Sequence, residues 1–117
     1  MSNELSISAS LSFSKGGASV NRADGIQVDV TGDAFTHQVQ LIGEASEEAL
    51  VEGTEVGTPG YVFIKNLDDT NSVSVGITGS YTIELLPGQF ALFPAAAAIF
   101  AKAITADCNV EYIIIEI

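Results

Sequence analysis

Residues 60 to 94 read GYVFIKNLDDTNSVSVGITGSYTIELLPGQFALFP and place several short runs of alternating apolar and polar residues between turn residues. This alternation has the period of a strand with one buried face. The residues that favour turns are Asp69, Gly79 and the Pro87-Gly88 pair. Because the runs are short and closely spaced, the segment leaves no room for a helix and predicts a compact β-meander.

Residues 4 to 14, ELSISASLSFS, alternate with the same period over a longer stretch. One face of this segment carries Leu5, Ile7, Ala9, Leu11 and Phe13, and the other carries mostly serine. The pattern predicts a long strand with one face in water. Lys15-Gly16-Gly17 follows as a flexible break. We therefore expect residues 1 to 14 to form either an edge strand or a strand exchanged with a neighbouring subunit.

The rest of the chain predicts further short strands. Asp24-Gly25 is a turn signal that opens a strand, and residues 46 to 50 resemble a helix but are too short for a stable one. After residue 60, strands are predicted over residues 61 to 66, 73 to 78, 81 to 85, 90 to 93, 99 to 104 and 110 to 117. About eight to nine short antiparallel strands are typical of an all-β, jelly-roll-like sandwich. Residues 1 to 117 are predicted to form one such domain.

Two segments depart from simple alternation. The ending VEYIIIEI carries three consecutive isoleucines, Ile113 to Ile115, which predicts a strand whose two faces both avoid water. Such a strand is either central in its sheet or covered by a partner. The run Ala95, Ala96, Ala97 and Ala98 would allow close backbone approach, either at a contact between subunits or at a tight internal crossing.

The composition limits the classes of partner. Fifteen acidic and four basic residues give a net charge of −11, which opposes binding to a phosphate backbone. No apolar run approaches the length of about 20 residues that a membrane helix needs. The N-terminus lacks the basic and apolar segments of a secretory leader, so synthesis in a cytoplasm is expected. We expect no nucleic-acid, membrane or small-molecule partner.

Few residues are suited to catalysis. His37 is the only histidine and Cys108 the only cysteine, and nothing near Cys108 in sequence supplies the positive charge that activates a thiol. Cys108 is therefore predicted to be a small core residue. A pair of catalytic carboxylates remains open in a chain with fifteen acids. No catalytic residue and no cofactor is predicted, and the chain is expected not to be an enzyme.

Acidic residues cluster in two places, and clustered carboxylates can bind a cation. Asp68 and Asp69 in NLDDTNS resemble part of a calcium loop but lack its full ligand spacing, so a turn is the preferred interpretation and no metal is predicted. The second group is predicted to be a solvated acidic loop. It comprises Glu44, Glu47, Glu48, Glu52 and Glu55.

Three segments together resemble a type of short protein encoded among the virion structural genes of tailed bacteriophages. They are GYVFIKNLDDTNSVSVG, LLPGQFALFP and VEYIIIEI, which lie in the C-terminal half of the chain. The resemblance implies a small β-sandwich without catalytic residues. It also implies a capsid decoration, or cement, protein that bridges neighbouring capsid subunits, usually as a homotrimer.

The sequence therefore predicts a noncatalytic decoration protein on the capsid surface of a virion, with the major capsid protein as its partner. The candidate interface residues are Leu5, Ile7, Leu11, Phe13, Ala95, Ala96, Ala97 and Ala98. Two alternatives remain open. One is a component of the phage tail or of the head-to-tail junction, and the other is a carbohydrate-binding or receptor-binding sandwich.

Overall fold

The structure is a computed structural model that describes residues 4–32, 34–53 and 56–116. The regular elements of these residues are ten strands, with no helix among them, and every strand pair is antiparallel. The predicted all-β, antiparallel class is confirmed. The chain divides into two compact units, Met1–Thr31 and Gly32–Ile117.

The bounds of the strands are as follows. They are β1 (Leu5–Lys15), β2 (Ala18–Val28), β3 (Phe35–Ile42), β4 (Glu48–Ala49), β5 (Pro59–Asn66), β6 (Val73–Ile77), β7 (Ser80–Leu85), β8 (Phe90–Pro94), β9 (Phe100–Ala103) and β10 (Cys108–Glu116).

The first unit is a β-hairpin formed by β1 and β2, which make a two-stranded sheet of their own. Gly16 and Gly17 form the two-residue turn, with φ angles of 59° and 86°. Positive φ at both positions is the geometry of a type I′ turn, which matches the twist of the paired strands. The predicted flexible break is thus the hairpin turn. The turn predicted at Asp24-Gly25 is wrong, because both residues lie inside β2.

The second unit contains two four-stranded sheets. The first sheet has the order β3-β10-β5-β8 and the second sheet has the order β4-β9-β6-β7. Buried residues of both sheets belong to one hydrophobic cluster, which is the sandwich-like arrangement expected of two sheets with apolar inner faces. The finer prediction of a jelly roll stays a prediction, as does the exchange of residues 1 to 14 between subunits.

The core of the second unit is built by alternation along the strands. In β5 and β10 every second residue is fully buried, including Val62, Ile64, Tyr112 and Ile114. Cys108 is also fully buried, which confirms its predicted role as a core residue. Residues 46 to 50, which resemble a helix in sequence but are too short for a stable one, contain the short strand β4.

Two predictions about irregular segments can be compared with the fold. β10 lies between β3 and β5, so it is a central strand, as its consecutive isoleucines indicated. The alanine run connects β8 in the first sheet to β9 in the second, and this is the internal crossing that was one of its two interpretations. Ala95 packs against the core, whereas Ala96, Ala97 and Ala98 are exposed.

Among the residues that the structure describes, no helix is long and apolar enough to cross a membrane.

Candidate interaction surfaces

The hairpin carries an apolar row on one face. In the register of β1 and β2, Leu5 lies opposite Val28, Ile7 opposite Ile26 and Phe13 opposite Val20. We call this surface the hairpin face. It comprises Leu5, Ile7, Ala9, Leu11, Phe13, Val20, Ile26 and Val28, and it therefore joins the four predicted interface residues of the N-terminal strand to apolar residues of β2.

Much of the hairpin face is exposed to solvent. The exposed fraction is 63% for Leu11, 54% for Phe13, 55% for Val20 and 51% for Ile26. The opposite face is polar, with serines along β1, and there the Ser12 hydroxyl donates to Asn21 Oδ1 at 2.7 Å. The sequence alternation is therefore expressed as one apolar and one polar side of the same two-stranded ribbon.

Charged residues also lie on the hairpin face. Arg22 Nη2 and Asp24 Oδ2 are 2.9 Å apart, and both side chains are largely exposed, so that this ion pair adds little to stability. At the open end of the hairpin, the Val30 amide donates to the Glu4 carboxylate at 3.0 Å. The apolar row is thus continuous on β1, whereas on β2 it is interrupted by Arg22 and Asp24, which lie opposite Leu11 and Ala9.

The first sheet of the second unit carries another apolar surface on the side away from the core. We call it the outer face. Its positions follow from the strand registers, and they are Phe35, His37, Val39 and Leu41 in β3, Asn109, Glu111, Ile113 and Ile115 in β10, Tyr61, Phe63 and Lys65 in β5, and Phe90, Leu92 and Pro94 in β8.

Several of these side chains are more than two-fifths exposed. The exposed fraction is 69% for Phe35, 55% for Val39, 54% for Leu41 and 64% for Phe90. The rings of Phe63 and Phe90 lie with their centroids 5.8 Å apart, which is within the range of favourable aromatic pairs. This surface was not predicted from the sequence.

The orientation of β3 explains why its apolar side chains face outward. Its other side carries Gln38 and Gln40, whose side-chain amides donate to the backbone carbonyls of Val51 and Ala49 at 3.0 and 3.2 Å. The Val51 amide in turn donates to Gln40 Oε1 at 3.1 Å. These bonds satisfy backbone groups of Ala49, at the end of β4, and of Val51 beyond it, so the glutamine side of β3 faces this segment.

His37 lies on the outer face and contacts Glu111, with His37 Nε2 and Glu111 Oε2 2.8 Å apart. Glu111 is also directly opposite Lys65 in the register of β10 and β5. Cys108 is fully buried, and burial raises the pKa of its thiol. The structure does not bring His37 and Cys108 together, because one faces out and the other faces the core.

The loop that holds Asp68 and Asp69 is organised by bonds to its own backbone. The Asp68 carboxylate accepts from the amides of Asn71 and Thr70 at 2.5 and 2.9 Å, and these bonds lower the pKa of Asp68. Asn66, fully buried, accepts from the Asp68 amide at 2.9 Å. This geometry is that of a side-chain-stabilised turn, the preferred interpretation of the sequence.

Glu47 has several partners, whereas the sequence predicted only a solvated loop. Its carboxylate accepts hydrogen bonds from the hydroxyls of Thr78 and Tyr81 and, at 2.8 Å, from the Gly79 amide. The bond from Thr78 is the main cause of the lowered pKa of Glu47, and the bond to Glu47 raises the pKa of Tyr81. Glu47 therefore fixes the turn between β6 and β7.

The other members of the acidic group are placed differently. Glu48 accepts from the Gly43 amide at 2.5 Å, and burial raises the pKa of Glu52. Glu55 lies outside the described residues. Within the described residues, no three histidine, cysteine, aspartate or glutamate side chains are grouped so as to hold a metal ion.

The polar side chains of the described residues mainly serve the fold. Every buried side-chain nitrogen or oxygen among them has a hydrogen-bond partner. A shallow cleft of about 280 Å³ lies beside the second sheet, and it is lined by Glu44, Ser74, Tyr81, Lys102, Ala103 and Ile104.

Neither a protein family nor a curated protein matches the sequence.

Proposed function

We propose that this chain is a noncatalytic structural protein of a tailed-phage virion, in which it decorates the capsid and stabilises it as a homo-oligomer, a trimer by analogy with the proteins it resembles. The main support for this proposal is the hairpin face. In it, an extended ribbon presents an apolar row to solvent, while every buried side-chain nitrogen or oxygen of the described residues has a hydrogen-bond partner.

A two-stranded hairpin has too little core to be stable in water by itself. Each strand of the hairpin has eleven residues, which corresponds to a length of about 37 Å. Leu11, Phe13 and Val20 are more than half exposed along this length. Covering these side chains with a partner surface would remove apolar area from water, and this supplies the free energy for binding.

The chemistry of the hairpin suits a protein partner. Its apolar row is interrupted by Arg22 and Asp24, which offer charges of both signs for pairing with a surface. Its polar side carries short serine side chains that remain hydrated after binding. To match this surface, the proposed partner lattice of neighbouring capsid subunits would have to alternate apolar patches with charges.

Stabilisation would follow from mass action. A protein that binds only the assembled lattice lowers the free energy of that lattice relative to its separated subunits. No bond has to be made or broken, so the proposed role requires no catalytic group. The net charge of −11 would keep the unbound protein soluble at the concentrations that decoration requires.

The test is binding of the purified full chain to DNA-free heads of the phage that encodes it, measured by cosedimentation. We expect saturation at a fixed ratio of chain to capsid subunit. The Phe13→Asp variant should lower the affinity at least about tenfold, because it places a charge in the apolar row. Ser14→Asp is the matched control, since it adds the same charge on the polar side of the same strand, and it should bind like the parent.

Three results would contradict the proposal. The first is a parent chain that does not bind heads, and the second is equal loss of binding in both variants. The third is saturation at only a few copies per particle, which would favour a component of the tail or of the head-to-tail junction. Binding to glycans in place of heads would favour a receptor-binding module.

A further inference from the structure

The outer face of the first sheet is a second surface that the fold leaves uncovered. It spans four strands and seven residues of β10, or about 19 Å by 24 Å, which is roughly 450 Å² of projected area. Contiguous exposed apolar surface of this kind often marks an interaction site.

The distribution of charge indicates which partner fits this surface. Among the described acidic residues of the second unit, Glu111 alone occupies a register position of the outer face. It is paired with His37 and lies opposite Lys65, so that the face is close to neutral. A basic partner would be attracted to the acidic remainder of the surface and not to this region.

A second copy of the same chain is acidic, so it requires a contact region with little negative charge. Two molecules that each carry a charge of −11 repel one another wherever their acidic surfaces approach. The outer face is a region where they can meet without bringing excess carboxylates together. Contacts between identical chains are also more apolar than other interfaces, as this face is.

The residues on the face also allow charge pairing between copies. Lys65 and Glu111 lie side by side across β5 and β10. When the face of one copy is rotated onto that of another, the lysine of each can lie near the glutamate of its neighbour. The surrounding aromatic and aliphatic side chains then exclude water from these pairs.

We propose that the outer face of the first sheet is the contact between copies of this chain in its homo-oligomer. The inference deepens the proposed function, on which it rests, because it assigns self-association to the sandwich and leaves the hairpin face to the capsid. It also moves the predicted contact between subunits away from Ala96, Ala97 and Ala98.

The experiment measures the mass of the full chain in solution by light scattering over a series of concentrations. The parent should have a multiple of the 12.2 kDa mass of one chain. Leu92→Glu and Leu41→Glu each introduce a carboxylate at a different edge strand of the outer face, and each should raise the dissociation constant at least about 100-fold. The control is Thr82→Glu, on the edge strand β7 of the second sheet, which should leave the mass unchanged.

Circular dichroism establishes that each variant is folded, and two variants at separate edges guard against the misfolding of one. A parent that remains a single copy at all concentrations would overturn the inference, as would outer-face variants that keep the parent mass. Phe13→Asp should keep the oligomer while losing the capsid. An oligomer that does not bind heads would therefore contradict the proposed function but not this contact. A single copy that binds heads would overturn this contact and the homo-oligomer, but not the binding to the capsid.

Discussion

The two sheets of the second unit contribute to the same core but differ in the side that faces away from it. The outer side of the first sheet is mainly aromatic and aliphatic, with Phe35, Val39 and Phe90 more than half exposed. The corresponding positions of the second sheet are mainly small or polar and include Ser74, Thr82, Glu84 and Lys102, with Phe100 as a partly buried aromatic among them.

This difference shows which features folding requires. A sheet in a sandwich needs one apolar face, and the outer side of the second sheet adds few apolar side chains beyond that requirement. The apolar outer side of the first sheet exceeds that requirement, and exposed apolar surface favours aggregation unless a partner covers it. The contrast is therefore the best structural support for a contact surface on the first sheet.

Loss of the Asn66 side chain should have the largest effect on stability, because this side chain links the first sheet to the second. Its amide donates to the carbonyls of Asn71 at 2.9 Å and Leu85 at 3.0 Å, and the latter bond links β5 of the first sheet to β7 of the second. Asn66→Ala should lower the free energy of unfolding by about 2 to 4 kcal/mol, since buried carbonyls lose their donors. Urea denaturation followed by circular dichroism measures this loss.

Asn109→Ala is the matched control for this substitution. Asn109 is exposed on β10, and its backbone carbonyl, which accepts from the Leu67 amide, is kept in the variant. Its effect should stay within about 0.5 kcal/mol, as for most surface positions. Equal losses in the two variants would show that the bond from Asn66 to Leu85 does not hold the sheets together.

Gly76→Ala should have the next largest effect, confined to the second sheet. A Cβ atom at Gly76 would lie 2.3 Å from the Ser80 carbonyl oxygen and 2.8 Å from Tyr81 Cα, so the backbone of β7 would have to move. Crowding of this kind costs about 1 to 3 kcal/mol. Thermal unfolding should show the loss, and the mass in solution should stay that of the parent, because the outer face of the first sheet is untouched.

Ser74→Ala, on the same strand, provides the control for a change of side chain without crowding. It should unfold within a few degrees of the parent. If Gly76→Ala were as stable as Ser74→Ala, β6 and β7 would not approach each other as closely as the structure has them.

We expect the smallest effect on stability from Glu47→Gln, and the size of this effect should depend on pH. The folded-state pKa of Glu47 is lowered below its ordinary value of 4.5, first by the bond from Thr78. A lowered pKa means that the charged form contributes stability above the unfolded pKa, and that this contribution is lost as the pH falls through the folded pKa. The parent should therefore exceed the variant in stability at neutral pH, and the difference should shrink below pH 4.5.

Melting temperatures of both proteins between pH 7 and pH 3 measure this difference. The comparison with the variant removes the pH dependence that the other carboxylates contribute to both proteins. A difference that stays constant over the whole range would contradict the role assigned to the Glu47 carboxylate in holding the turn of β6 and β7.

Local patterns were sufficient to predict most strands after residue 60. Residues 73 to 78 and 81 to 85 correspond to β6 and β7, because alternation and the Gly79 turn are both short-range signals. The hairpin was harder to predict, since Gly16-Gly17 and Asp24-Gly25 both favour turns. The turn at Gly16-Gly17 allows all eleven residues of β1 to pair with β2, and this pairing decides between them.

The surfaces differ in how far they could be predicted. The apolar row of β1 was visible as alternation with serine, so Leu5, Ile7, Leu11 and Phe13 were predicted to share a face, and they do. The outer face was not predicted, because the pattern FTHQVQLI fits either side of β3 facing the core. Which side of β3 faces the core is set by the hydrogen bonds that Gln38 and Gln40 donate to the carbonyls of Val51 and Ala49.

The sequence by itself determined the all-β class, the alternation of the strands, the acidity and the presence of one histidine and one cysteine, because these depend on composition and on neighbours along the chain. Tertiary structure alone decided which apolar residues remain uncovered and which carboxylates are bonded. Tyr81 is 34 residues from Glu47, and Leu85 is 19 from Asn66. Contacts over such separations follow from how the sheets pair and pack, and no local pattern encodes them.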